Sequence, residues 1–241
     1  MFMNLVIDYG NTRIKAALFS GTKLREKFLF GTSEQVKNFL EKEKFEHSLV
    51  SSVSEPTEEI LSWINCAGKK LLLSINLPLP INILYATPTT LGVDRIAAVC
   101  GAMEIFPRQN RLVIDAGTCI NYEFIDAGLS YYGGAISPGI QMRFDAMHKF
   151  TARLPLIKEF NKIELVGNST ESCMTSGVVN GVLAEVNGII EQYTQKFPDL
   201  KVILCGGDAY FFENNLKQPI FAAPDLVLYG LNRILEHNVG R

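Results

Sequence analysis

The first apolar run, Leu5-Val6-Ile7, is unbroken and ends on Asp8, as a strand buried on both faces would. Arg13 to Phe19 reads as a second strand. After the turn Ser20-Gly21-Thr22 a third runs from Glu26 to Phe30, so the chain opens as a hairpin and meander. From Ser33 the period lengthens to that of a helix, with Val36, Phe39 and Leu40 on one face. Ser48 to Val53 is a short buried strand. Pro56 opens a helix bearing Ile60, Leu61, Trp63 and Ile64, and Lys70 to Ser74 is a further strand. Three strands, helix, strand, helix, strand is an α/β half-molecule.

A connection at 76–88 carries Pro78, Pro80 and Pro88 and is expected to be extended, with a short strand from Ile81 to Tyr85. Gly92-Val93-Asp94-Arg95 leads into a helix through Met103 that Pro107 closes. Arg111 to Asp115 then repeats the opening, followed by strand Cys119 to Ile125, a turn at Asp126-Ala127-Gly128 and strand Ser130 to Ile136. Ser137-Pro138-Gly139 starts a helix through Lys149. A long helix from about Thr170 to Phe197 presents Val178, Val179, Val182, Val186 and Ile189 as a core face. Lys201 to Leu204 is a strand running into Gly206-Gly207-Asp208 ahead of a helix, and a last helix spans Asp225 to Glu236. The expected division is 1–108 and 109–241.

Composition narrows the class. Hydrophobic residues make up 47% and charged residues 20%, the mix of a soluble globular protein. A net charge of −2, with no basic run, argues against nucleic acid as a partner. The cysteines (Cys66, Cys100, Cys119, Cys173, Cys205) are odd in number and never in CxxC pairs, so reduced thiols are expected. No signal peptide and no stretch of 18 apolar residues is visible, so a cytoplasmic protein without a membrane span is expected. His47, His148 and His237 lack metal-ligand spacing.

The chemistry gathers at the strand ends. The segment Asp8-Tyr9-Gly10-Asn11-Thr12-Arg13-Ile14-Lys15 places a tight glycine turn, short polar donors and a lysine where phosphate oxygens could sit. Asp8 is a hard oxygen ligand suited to Mg²⁺, directly or through water. One such segment would ordinarily be a plain Asp-Gly hairpin turn. The second copy, Leu112-Val113-Ile114-Asp115-Ala116-Gly117-Thr118, suggests two similar halves facing one charged ligand, a nucleotide with its metal. No Walker A pattern or glycine-rich dinucleotide fingerprint competes.

With Gly206-Gly207-Asp208, the two Asp-Gly turns resemble the phosphate-1, phosphate-2 and adenosine motifs of the actin, hexokinase and heat-shock-protein superfamily. That resemblance implies an α/β fold of two ribonuclease-H-like (actin-like ATPase) subdomains with a nucleotide cleft between them. A finer match comes from Tyr85 lying seven residues before Gly92-Val93-Asp94-Arg95, then DAGT at 115–118, GGAISPG at 133–139, TARLP at 151–155, and Gly167-Asn168-Ser169-Thr170 leading to Ser176-Gly177. In this order the set closely resembles type III pantothenate kinases, the first enzymes of coenzyme A synthesis. The resemblance implies ATP-dependent phosphorylation of pantothenate. Residues Asp8 to Lys15 and Thr118 would hold ATP. Tyr85, Gly92, Val93, Asp94, Arg95 and Thr170 would line the pantothenate pocket, with Asp94 as general base. Asp115 would bind a monovalent cation, K⁺ or NH₄⁺, and Mg²⁺ would accompany ATP; a cytoplasmic homodimer is implied. Three departures stand out: Tyr9 where Val or Ile is usual, Ser169 in place of Asn, and Asn121 at a position more often small or hydroxylated. Two other readings stay open, a non-catalytic pantothenate- or nucleotide-binding regulator and a sugar kinase of the same superfamily.

Overall fold

Leu5, Val6 and Ile7 have no exposed surface, and burial on both faces puts the first strand at the centre of a sheet. The computed structural model describes residues 3–10, 13–52, 57–160 and 162–240. Asn11, Thr12, Val53 and Pro56, singled out above, lie outside the described residues. The chain folds into two compact units. One comprises 1–108, 125–132 and 225–241, the other 109–124 and 133–224.

In the first unit β1 (Asn4–Tyr9) pairs antiparallel with β2 (Ile14–Ser20), which pairs with β3 (Lys23–Phe30). Helix α1 (Ser33–Leu40) starts on the Thr32 side chain, which accepts from the Gln35 N–H. It is followed by β4 (Ser48–Ser52), α2 (Thr57–Trp63) and β5 (Lys70–Leu72), with β4 parallel to both β1 and β5. The sheet order is β3-β2-β1-β4-β5. The connection then supplies β6 (Asn82–Ile83), a single 3₁₀ turn at Pro88–Thr90, and α3 (Val93–Ile105). β3 starts three residues earlier than its apolar content suggests, because its exposed edge needs little apolar surface. β6 is two residues long rather than five, in keeping with the prolines around it.

The second half of the chain repeats the plan. β7 (Arg111–Ala116), β8 (Cys119–Ile125) and β9 (Ser130–Pro138) are neighbours in a sheet of order β11-β10-β7-β8-β9-β6. A two-residue link makes β7 and β8 an antiparallel hairpin. Helices α4 (Ile140–Phe150) and α5 (Thr170–Lys196) follow, then β10 (Lys201–Cys205), α6 (Ala209–Asn215) and β11 (Phe221–Ala222). β10 is parallel to β7 and to β11. Thus β9-β8-β7-β10-β11 matches β3-β2-β1-β4-β5 strand for strand. β9 continues through Ser137 and Pro138, so α4 starts two to three residues later than the sequence reading; β11 left no sequence signal at all.

Helix α5 is long and apolar enough to cross a membrane by composition. Met174, Val178, Val179, Val182, Val186 and Ile190 are instead buried in the second unit's core, packed with Leu112, Ile114, Tyr122 and Phe144. The last helix, α7 (Leu226–Val239), packs in the first unit through Leu228, Leu231, Ile234 and Leu235. It crosses α3 closely: a Cβ on Gly230 would lie 1.7 Å from the Ala97 carbonyl oxygen, and one on Gly101 2.2 Å from that of Leu226. Asn4 at the start of β1 donates to the buried Glu236 carboxylate at 2.6 Å, tying this helix to the central strand.

Candidate active site

A strand that ends on an acid can present that acid only if its neighbours leave room. In the first unit Asp8 stands directly opposite Lys15 in the β1–β2 ladder and beside Ser51 of β4. Opposite charges so placed face each other on one side of the sheet. Tyr9 is 6% exposed, among Ile14 and other core residues, and its hydroxyl hydrogen-bonds the hydroxyl of Ser33 at the start of α1. The first departure therefore has a local reason: the ring fills the core and its hydroxyl fastens α1. Ile14 is buried in the same cluster and Arg13 is exposed, so of these neighbours Lys15 and Arg13 carry the charge available to a ligand.

Around α3 the first unit brings Tyr85, Asp94 and Arg95 together. Gly92 is the N-cap residue, in extended backbone, and Asp94 sits in the first helical turn where the helix dipole favours an anion. Asp94 Oδ1 accepts the Arg95 N–H at 2.9 Å. A Cβ on Gly92 would stand 2.5 Å from that same oxygen, so glycine there gives the carboxylate its place. Arg95 is 8% exposed, and its guanidinium lies 5.5 Å from the centre of the Tyr85 ring, a cation–π contact. Val93 is half-buried against the same core.

In the second unit the Asp115 turn is built by close backbone approaches. Gly206 has φ +96°, and a Cβ there would lie 2.1 Å from the Ala116 carbonyl oxygen and 2.5 Å from Asp115 Oδ1. The Asp208 N–H donates to the Ala116 carbonyl at 2.9 Å. Gly139 meets the turn from another side: its N–H donates to the Thr118 carbonyl at 3.0 Å, and its Cβ would lie 2.1 Å from the Gly117 carbonyl oxygen. Asp115, exposed Thr118, Gly139 and the Gly206–Asp208 turn are therefore one constellation. Burial pushes the Asp208 carboxyl above the ordinary aspartate range.

A network just behind it has no counterpart in the sequence reading. Arg143 on α4 donates to the Pro138 carbonyl at 2.9 Å, to the Ser137 hydroxyl at 2.9 Å and to Glu185 of α5 at 2.6 Å. The Tyr122 hydroxyl donates to the other Glu185 oxygen at 3.0 Å. The only sequence signal was an arginine four residues beyond Gly139, with nothing to indicate a glutamate on a later helix.

Thr170 is exposed in the first turn of α5, where Ser169 and Ser172 form a reciprocal cap: each side chain bonds the other's backbone N–H, at 3.2 and 2.9 Å. Serine and asparagine cap helices equally well, which accounts for the Ser169 departure. Thr170, Asn168, Ser169 and Cys173 line an open groove of about 780 Å³ whose apolar wall is Met147, Leu154 and Met174. All five cysteines are unpaired in disulfides. Among the described residues no three His, Cys, Asp or Glu side chains cluster as a metal site.

A model of the family described as type III pantothenate kinase matches residues 4–192. A relative of that description from Bacteroides fragilis is 45% identical over 244 residues, covering 99% of this chain and all of the relative. Another, from Cytophaga hutchinsonii, is 44% identical over 237 residues, covering 98% of this chain and all of the relative.

The chain belongs to the type III pantothenate kinase family.

The matched span includes Asp8, Tyr85, Asp94, Asp115, Thr118 and Thr170; Gly206 to Asp208 and α7 lie beyond it. Solved structures share the fold. Component A of (R)-2-hydroxyglutaryl-CoA dehydratase from Acidaminococcus fermentans aligns with a TM-score of 0.57 at 16% identity, covering 98% of this chain and 97% of the other. A glucokinase from an Antarctic psychrotroph aligns with a TM-score of 0.54 at 10% identity, covering 98% and 99%. At such identities the likeness is one of fold, and it bears out the α/β, actin- and hexokinase-like class read from the motifs.

Proposed function

We propose that this chain transfers the γ-phosphoryl group of ATP to the primary hydroxyl of pantothenate, giving 4′-phosphopantothenate. The observation that carries the reading is family membership over the full chain, with Asp94 held at the start of α3 beside Arg95 and Tyr85. Pantothenate is a carboxylate with a hydroxyl at its far end. A buried arginine and a tyrosine suit its recognition, and a carboxylate in the first turn of a helix suits its activation.

The transfer forms a bond between the pantothenate hydroxyl oxygen and γ-phosphorus and breaks the bond from γ-phosphorus to the bridging oxygen of ADP. Asp94 accepts the hydroxyl proton, and its hydrogen bond to the Arg95 N–H orients the acceptor oxygen. Asp8 and Lys15, together with the loop between them, take the phosphates. Thr118 contacts ATP, and Thr170 belongs to the substrate pocket.

The donor sets fit the implied ions. Asp8 offers a carboxylate at a strand end, enough for Mg²⁺, which commonly takes one or two protein carboxylates together with phosphate oxygens and water. Asp115 Oδ1 and the Ala116 carbonyl oxygen both lie close to Gly206, and carboxylate and carbonyl oxygens are the donor types that suit K⁺ or NH₄⁺. When bound, these cations neutralise charge developing on the transferring phosphoryl group. Homodimer formation and a cytoplasmic location belong to the same reading. No observation favours a non-catalytic regulator, and the likeness to sugar kinases is one of fold alone.

The test is ³¹P NMR of a reaction containing the protein, ATP, Mg²⁺, K⁺ and pantothenate, with glucose in a parallel tube. A phosphomonoester resonance appearing only with pantothenate is expected. Phosphate ester on glucose, or no ester in either tube, would refute the assignment.

A further inference from the structure

Short elements hold a side chain in place only if something longer holds them. β6 has two residues, too few to be stable as an edge strand on its own. It hangs on the tip of the β8–β9 hairpin, within the same unit: Asn82 pairs with Ser130 and Ile83 with Tyr131. The Asn82 N–H donates to the Leu129 carbonyl at 2.9 Å and the Leu84 N–H to the Tyr131 carbonyl at 2.8 Å. Tyr85 is the next residue.

The tip is itself braced. Asp126 Oδ1 accepts the Ser130 N–H at 2.8 Å, and Oδ2 accepts the Tyr132 hydroxyl at 3.0 Å. Leu129 takes φ +67° to close the turn. From this rigid support Tyr131, fully buried, lays its ring parallel to that of Tyr85, with centroids 6.5 Å apart and planes 8° from parallel. Over the Tyr85 ring lies Arg95, one residue from Asp94. Tyr131 belongs to the same buried cluster as Ile81, just ahead of β6, and Ile96 of α3, one residue beyond Arg95.

We infer that Tyr131 is a positioning residue for the acceptor substrate, its ring fixing Tyr85 and, through Tyr85, the guanidinium of Arg95. With no exposed surface, the Tyr131 ring acts through its neighbours. Its part is to hold the two side chains that receive pantothenate in one arrangement before substrate arrives, which lowers the ordering cost of binding. The inference rests on the reading that Tyr85 and Arg95 belong to the pantothenate pocket.

The test is steady-state kinetics of Tyr131→Phe, Tyr131→Leu and Tyr85→Leu in the full chain, with thermal melts of each. Tyr131→Phe keeps the stacked ring and should retain the wild-type KM for pantothenate within about twofold. Tyr131→Leu should raise that KM about three- to tenfold, the effect expected of a lost aromatic pair, and leave the KM for ATP unchanged. In the Tyr85→Leu background, adding Tyr131→Leu should raise the pantothenate KM no further. Equal increases in both substrates' KM, an additive double variant, or a Tyr131→Phe enzyme as impaired as Tyr131→Leu would overturn the inference. If Tyr131→Leu fails to fold, Tyr131→Phe decides: a pantothenate KM raised tenfold with the ring intact contradicts it. A Tyr85→Leu enzyme with wild-type KM for pantothenate would refute the underlying pocket reading instead.

Discussion

At the scale of single residues, two glycines leave room for carboxylates, Gly92 for Asp94 and Gly206 for Asp115. Gly92 has φ −60° and ψ 133°, which any residue adopts, so the backbone does not require glycine there. Space does, because a Cβ would press on Asp94 Oδ1. Gly92→Ala is therefore predicted to melt within a few degrees of wild type while kcat falls at least tenfold, measured by coupled ADP release. Asp94→Asn keeps the shape and removes the proposed proton acceptor; kcat should fall about 10²- to 10⁴-fold with an unchanged melting temperature. Wild-type turnover in Asp94→Asn would remove Asp94 from that role. Gly206 is the opposite case, since its φ of +96° and the Ala116 carbonyl forbid a side chain. Gly92 to Arg95 was legible in the sequence as a motif. The backbone reason for Gly206 was not, because its contact residue lies 90 positions away on another strand.

At the scale of elements, the turn bearing Thr118 is backed by α4 and α5 through Arg143 and Glu185. Burial alone would raise the Glu185 carboxyl. The Arg143 guanidinium and the Ser137 and Tyr122 hydroxyls outweigh it and hold the carboxyl below the ordinary glutamate range. A depressed folded-state value contributes stability that is present above the unfolded value and lost as pH falls through the folded one. Glu185→Gln should therefore be less stable than wild type at neutral pH, with the gap closing below about pH 4, near the unfolded glutamate value. Urea melts across that range check this; a gap that widens in acid contradicts it. The helices themselves were legible from their 3.6-residue period, α5 nearly to its ends. Their partners were not, since periodicity reports an apolar face but not which element covers it.

At the scale of the molecule, the repeated strand order was visible in the two copies of the apolar run ending on Asp-Xaa-Gly. The return of the last helix to the first unit was not. Leu228, Leu231, Ile234 and Leu235 give α7 an apolar stripe that would suit any core. Its true partner is set by the small residues Ala97, Gly101 and Gly230, where the helix backbones meet. Gly230→Leu should destabilise the protein by more than about 2 kcal/mol by forcing these helices apart. A denaturation midpoint equal to wild type would contradict that packing. Asp8, Asp94 and Asp115 are delivered by three different elements, and turnover is the direct test of their joint action. The most direct measurement is the initial rate of ADP release at saturating Mg²⁺, K⁺ and ATP as pantothenate is titrated. A rate near zero without pantothenate, saturation as it is added, and loss of most of that rate when K⁺ is withheld are expected. ADP release that is indifferent to pantothenate would contradict the proposed reaction.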